Sequence, residues 1–230
     1  MAKNLVGGEK DSVYSGGVNP LVFAAVPSNS SVLDVGCADG ALGVALSKEK
    51  GCLVVGIEYS QLLAASASKK LSKVIRLDIE RDKIPLKPSS FDVLVLADVL
   101  EHTREPGAVL SRLLPLVRKG GIVVVSVPNV ANFSIRLKLL FGNWNYQKQG
   151  ILDSSHLRFF TLRTSRQLLE NAGLSVVSVS ATRNALSLLF LQKLFDFAGL
   201  LPFYSSVDSF LANAYKPLFA QQLVFTSEKK

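Results

Sequence analysis

Sulfur and imidazole are scarce in this chain of 230 residues, which holds two cysteines, one methionine and two histidines, with a single tryptophan. Cys37 and Cys52 are too few for a disulfide framework and lack the spacing of a zinc site, so a reducing compartment is expected. A run of about 20 apolar residues, the length that spans a bilayer, is also missing. The most apolar stretch, Ala185 to Leu201, is broken by Gln192, Lys193 and Asp196. The opening residues, MAKNLVGGEKDS, have no apolar core of signal-peptide length, and a cytoplasmic location is expected. Internal repeats and low-complexity tracts are absent, which excludes solenoids and linkers. Acid is short as well: 18 Asp plus Glu stand against 26 Lys plus Arg, a net charge of +8. That surplus invites an anionic partner without choosing among nucleic acid, phosphorylated metabolite and acidic membrane.

What is present suits a single globular domain, with 48% hydrophobic residues distributed in short blocks. SVLDVG (31–36), LVVGIEY (53–59), KVIRLD (73–78), FDVLVLAD (91–98) and GIVVVSVP (121–128) read as buried strands. Helical patterns fall at Ala41 to Lys50, Ser60 to Lys70 and Pro106 to Lys119, the last closed by Gly120 and Gly121. This alternation predicts a doubly wound α/β fold built on a mostly parallel sheet. Further on, a helix is expected from about Thr164 to Asn171, then strands at Leu174 to Ser180 and Gln222 to Ser227, making seven strands with an antiparallel last one. The chain is expected to be one domain, with a core over about 20–130 and insertions over about 129–163 and 184–220.

Ligands of open α/β sheets bind beyond the carboxyl ends of the strands. The first strand ends in VLDVGCADGALG, where Gly36 and Gly40 let the backbone come close to a ligand at a helix N-terminus. The spacing G-x-x-x-G-x-x-G is not the dinucleotide fingerprint G-x-G-x-x-G, which disfavours a dehydrogenase. Glu58, about 20 residues beyond the turn, can accept both hydroxyls of a ribose. Asp78 with Ile79, at the end of the third strand, suits the edge and face of an adenine.

These segments together resemble the class I S-adenosylmethionine-dependent methyltransferases. VLDVGCADG is similar to their first motif, Glu58 to their ribose-binding acid and LDIE (77–80) to their adenine-side motif, while FDVLVLADVLEH and VRKGGIVVVSVPN resemble the later ones. The resemblance implies a Rossmann-like fold, S-adenosylmethionine as cofactor, and cofactor contacts from Asp34, Gly36, Cys37, Ala38, Gly40, Glu58, Tyr59, Asp78, Ile79, Ala97 and Asp98. Ala38 departs from the family, which usually has Gly there. HLRFFT (156–161), a helix and AGLSVVSV resemble a small-molecule branch that includes ubiquinone O-methyltransferases and methyltransferases of cell-surface sugar pathways.

A polar constellation follows the fourth strand. If a helical turn starts at Asp98, then Asp98, Glu101 and His102 share one face at i, i+3 and i+4. His156, the other histidine, lies in the insertion expected to cover the same region. Methyl transfer to a hydroxyl needs alignment and removal of a proton, and histidine can take it near neutral pH. His156 is thus a candidate base, with His102 and Glu101 beside it; its alternative is a backbone bond that holds the insertion in place. Asp98, Glu101, His102 and His156 also make a donor set for a divalent metal. The resemblance supports that set through relatives with Glu-x-x-Glu-His, where Asp98 here replaces the first Glu. A solvated helix start is the plain alternative for Glu101 and His102.

The Asn/Asp-Pro-Pro-aromatic pattern of base N-methylating enzymes is missing after the fourth strand, so nucleic acid is disfavoured as a partner. An RNA ribose methyltransferase and a non-catalytic methyltransferase-like binding protein are the competing functions. Arg136, Lys138, Lys148, Arg158, Arg163 and Arg166, interleaved with Trp144, Tyr146, Phe159 and Phe160, suit an anionic small-molecule or lipid-linked acceptor or else form a solvated face. Residues 1–130 carry +2 and residues 131–230 carry +6, so the charge belongs to the substrate-covering half. The stretch Ala185 to Phe203 is expected to be subdomain core, a homodimer interface or a surface for peripheral membrane contact.

Overall fold

A computed structural model of the chain describes residues 17–182 and 214–230. The apolar stretch from Ala185 to Phe203, with its core, dimer and membrane readings, lies outside the described residues, as does most of the second insertion.

The β-branched blocks become strands because their side chains suit a pleated surface buried on both sides. The elements run α1 (Pro20–Ala25), β1 (Ser31–Val35), α2 (Ala41–Lys50), β2 (Leu53–Glu58), α3 (Gln61–Ala67), β3 (Lys73–Arg76) and β4 (Phe91–Ala97). They continue with α4 (Pro106–Leu113), β5 (Val117–Pro128), α5 (Phe133–Leu140), α6 (Leu162–Asn171), β6 (Leu174–Ala181), α7 (Lys216–Phe219) and β7 (Gln222–Lys229). One sheet takes the order β3-β2-β1-β4-β5-β7-β6. The first five strands are parallel, and β7 runs antiparallel between β5 and β6. The order reverses at β1, which pairs with both β2 and β4, and that switch point opens a crevice at the strands' carboxyl ends.

Neighbouring residues of one strand serve opposite faces. Leu94 and Leu96 join a core with Leu110, Leu113, Leu169 and Phe225 under α4 and α6. Val93 and Val95 join a second core with Val22, Leu46, Val54 and Val224 under α1 and α2. Among the described residues no helix is long and apolar enough to cross a membrane.

Two local expectations need correction. The helix expected over Pro106 to Lys119 ends at Leu113 and passes through a single 3-10 turn (Leu114–Leu116) into β5, which already begins at Val117. Pro115 lacks an N–H and stops the helix, while Val117 pairs with Phe91. The helical turn expected from Asp98 is replaced by a left-handed Asp98 (φ 55°) and a 3-10 turn over Leu100–His102. Residues 77–90 join β3 to β4 without a helix. Two helices went unrecognised, although each carries its signal: Asn19 caps α1 ahead of Pro20, and Asn132 caps α5.

Phe225 is fully buried on β7, the strand that joins β6 to the rest of the sheet. Phe225→Ala should cost about 3–5 kcal/mol and lower the melting temperature by about 10 °C, read by calorimetry.

Candidate active site

The turn after β1 passes through three left-handed residues in five: Gly36 (φ 70°), Ala38 (φ 49°) and Gly40 (φ 84°). At Gly36 a Cβ would lie 2.6 Å from Val99 Cγ2, so only glycine lets the loop after β4 pack against this turn. Ala38, the departure from the family's glycine, adopts a conformation that costs an L-residue roughly 1–2 kcal/mol. Glu58 at the end of β2 holds it there. Its Oε2 accepts the Ala38 N–H at 2.9 Å, and its Oε1 accepts the Ser60 N–H at 2.8 Å. Each oxygen keeps a second lone pair for a hydroxyl.

Asp34 is 2% exposed and its Oδ2 has no hydrogen-bond partner. Burial first, and the nearby Glu58 second, push its pKa up to about 7. Cys37 is packed against Gly56, where a Cβ would come within 2.6 Å of its Sγ. Burial, Asp34 and Glu58 push its thiol pKa upward, which leaves it a packing residue and not a nucleophile. Tyr59 is exposed beside Glu58. Asp78 follows β3, its Oδ1 accepting the Glu80 N–H at 2.8 Å, and Ile79 is partly buried against the larger core. Ala97 closes β4 next to Asp98. The residues expected to contact a cofactor therefore line the carboxyl ends of β1, β2, β3 and β4, around the switch point.

A second group gathers one step further along. Glu101 is 1% exposed, and neither carboxylate oxygen has a hydrogen-bond partner. Burial, and then Asp98, raise its pKa well above the carboxylate range. One ligand atom from each of Glu101, His102 and His156 lies within 4.8 Å of the others. The two imidazoles meet edge to face with centroids 4.9 Å apart. The His156 Nδ1 lies 3.0 Å from the Ile151 carbonyl oxygen. A carbonyl can only accept, so Nδ1 carries a proton, and in the neutral ring the lone pair is therefore on Nε2. The backbone bond and the free base nitrogen are thus two ends of one ring. The His102 Nδ1 approaches the Ser155 carbonyl oxygen at 3.3 Å and Oγ at 3.2 Å, and the Ser155 hydroxyl donates to Asp153 at 2.6 Å.

The insertion is tied to this group through the backbone, since the Glu101 carbonyl accepts the N–H groups of Leu157 (2.8 Å) and Arg158 (3.0 Å). Trp144 packs edge-on to Phe159, which contacts His156, so an aromatic wall flanks the imidazoles. Of the basic residues named above, Arg136, Arg158 and Arg166 are engaged locally, with the Ala131 carbonyl, the Arg104 carbonyl and Glu170. Asp98 is partly buried and already partnered: Gln222 Nε2 and Ser126 Oγ both donate to its carboxylate. Gln222, Ser126, Ser155 and Asp153 were not foreseen. Ser126 stands out as a polar residue in an apolar strand, whereas Gln222 gives no signal because its partner is 124 residues away.

A family model described as a methyltransferase domain matches residues 13–179. The chain belongs to this methyltransferase family. It is a class I S-adenosylmethionine-dependent methyltransferase, with S-adenosylmethionine as its methyl donor. Ubiquinone biosynthesis O-methyltransferases are among the relatives of this methyltransferase. That of Aeromonas salmonicida is 28% identical over 162 residues, covering 67% of this chain and 66% of the relative. That of Neisseria meningitidis serogroup A is 28% identical over 123 residues, covering 49% and 52%. The chain spans about half to two thirds of the length of these curated relatives. A solved S-adenosylmethionine-dependent methyltransferase from Mesorhizobium loti superposes with a TM-score of 0.60 at 16% identity, covering 91% of this chain and 96% of the other. The [4+2]-cyclase SpnF superposes equally well, at 0.60 and 15% identity over 91% and 78% of the two chains, so this likeness shows the fold alone.

The raised pKa of Asp34 sets a pH dependence. The unfolded carboxyl releases its proton near 3.8 and the folded one near 7, so ionisation opposes folding increasingly as pH rises through that window. Asp34→Asn removes the penalty. The variant should be more stable than the parent at pH 8, by an amount on the order of a few kcal/mol in denaturant unfolding, and show little difference at pH 4.

Proposed function

We propose that this methyltransferase O-methylates a hydroxyl of a small or lipid-linked acceptor, with quinol precursors and hydroxylated, phosphorylated metabolites as the substrate class. The observation that carries the reading is the Glu101 carboxylate, buried without a hydrogen-bond donor beside two histidines. A carboxyl buried against a second one, as Glu101 is against Asp98, is costly to ionise, and a cation or a shared proton relieves it.

Gly36, Ala38 and Gly40 give the cofactor a close backbone approach, Glu58 takes its ribose hydroxyls, and Asp78 with Ile79 take its adenine. Asp34, Tyr59 and Ala97 complete the lining. Glu101, His102 and His156, with Asp98 alongside, are the donors that would hold a divalent cation, and their mixed oxygen and nitrogen atoms suit Mg, Mn or Zn. Such an ion would lower the pKa of a hydroxyl and orient it. The protein's own part is to hold the acceptor between Trp144, Phe159 and His156, to keep water from Glu101, and to present the His156 Nε2 lone pair. A second reading uses the same atoms without an ion: His156 Nε2 takes the hydroxyl proton directly, favoured by the Ile151 carbonyl that fixes the tautomer.

Peripheral membrane contact through the insertion would bring a lipid-linked acceptor to this site. It is supported by Leu139, Leu140 and Phe141, exposed in a row after Lys138. The positive balance of residues 131–230 favours an anionic acceptor.

Methyl transfer from labelled cofactor should appear in quinol precursors or sugar phosphates and not in small RNA; label confined to RNA would overturn the reading. Chelation should abolish transfer and Mg²⁺ or Mn²⁺ restore it, whereas full activity without an ion selects the direct-base form. Glu101→Gln should lower kcat by about 100-fold or more while the melting temperature holds or rises, because the change removes a carboxyl whose ionisation burial opposes, along with the chemistry.

A further inference from the structure

Gln222 is the first residue of β7 and lies far in sequence from every motif of the site. Its register partner is Pro128, at the carboxyl end of β5, so antiparallel β7 delivers it to the edge where the parallel strands finish. Its backbone is pinned on the other side by Thr182. The Gln222 N–H donates to Thr182 Oγ1 at 3.1 Å, and the Gln222 carbonyl accepts the Thr182 N–H at 3.0 Å.

The side chain is fixed in direction as well as place. Asn19 Oδ1 caps α1 by accepting the N–H of Leu21 at 3.0 Å, with that of Val22 at 3.4 Å. Backbone N–H groups can only donate, so the Asn19 amide cannot turn over, and its Nδ2 faces Gln222. Asn19 Nδ2 then donates to Gln222 Oε1 at 2.7 Å, which leaves the Gln222 Nε2 end for Asp98. That nitrogen donates to Oδ2 at 2.6 Å and also reaches Oδ1. Ser126 Oγ donates to Oδ1 at 3.2 Å. The Asp98 backbone needs such a hold, since its φ of 55° is uncommon for a residue other than glycine.

We infer that Gln222 is a positioning residue: a one-way chain of amides from the α1 cap fixes the Asp98 carboxylate against Glu101, at the edge of the set that Glu101, His102 and His156 form. This rests on the reading of that cluster as a cation site. Asp98 then supplies negative charge from a fixed direction. Glu101, which has no donor of its own, and the two imidazoles supply the remaining atoms. Partners that orient the groups around a metal typically matter by about 10–100-fold in affinity.

The experiment uses Mn²⁺ as the probe, titrated by calorimetry and by its paramagnetic resonance, with no methyl acceptor needed. Gln222→Leu, of similar size, should weaken Mn²⁺ binding at least 10-fold while its circular dichroism spectrum and cooperative melting show that the variant folds. Asn19→Ala should weaken Mn²⁺ binding less, because Gln222 can then turn over. The double variant should match Gln222→Leu alone, since both act through one amide. Unchanged Mn²⁺ affinity in Gln222→Leu, or fully additive effects in the double variant, would overturn the inference. If the parent protein binds no Mn²⁺, the cation reading fails on its own, and crystal structures of the parent and Gln222→Leu decide the positioning role. A rotated Asp98 carboxylate in the variant upholds it, and an unmoved one refutes it.

Discussion

Everything functional in this chain depends on β1 pairing with strands on both sides. Because β2 and β4 lie parallel to β1, three strands end together at one edge, and their following loops must diverge to reach helices on opposite faces. The crevice between those loops is a consequence of topology before any side chain is considered. The glycine turn then lets Val99 approach from β4, and Glu58 crosses from β2 to hold Ala38. One turn is thereby braced by both neighbours, which is the rigidity a cofactor contact requires.

The acid and histidine cluster sits where this rigid half meets the insertion. Its pieces come from two places: Asp98, Glu101 and His102 from the exit of β4, and His156 from a segment whose own small core is Ile135, Ile151 and Leu152. What joins them is mostly backbone, through the Glu101 carbonyl and the N–H groups of Leu157 and Arg158. Side chains of the cluster are consequently left for chemistry instead of for docking. The burial of Glu101 against Asp98 makes its ionisation a local loss of stability that a proton or a bound cation recovers, and such losses concentrate at working sites.

Much of this was legible in the residues. β1, β2 and β4 announce themselves as apolar β-branched blocks, and their terminal residues, Glu58 and Asp98 among them, follow from the rule that ligands meet strand ends. The meeting of the two histidines was readable from their positions after β4 and in the covering insertion, although the assumed helical spacing was not how it came about. A left-handed Asp98 and a 3-10 turn achieve the same convergence, and propensity alone cannot choose between them. β5 began earlier than its pattern suggested because VRKGG contains no alternation, and its pairing with β4 was decided by tertiary contacts. Gln222 was invisible for a plainer reason. Its meaning depends on an antiparallel strand entering beside β5, and no local pattern encodes a partner that distant.

The position of β7 also orders events in time. A chain emerging from the ribosome can assemble β1 to β5 and their helices from nearby segments, whereas β6 has no sheet partner until residues 222–229 follow. The strand that locks β6 to the sheet is also the one that carries Gln222 to Asp98. Half-made protein can therefore own a complete glycine turn while its acid cluster is still unfastened, and the two parts of the site mature separately.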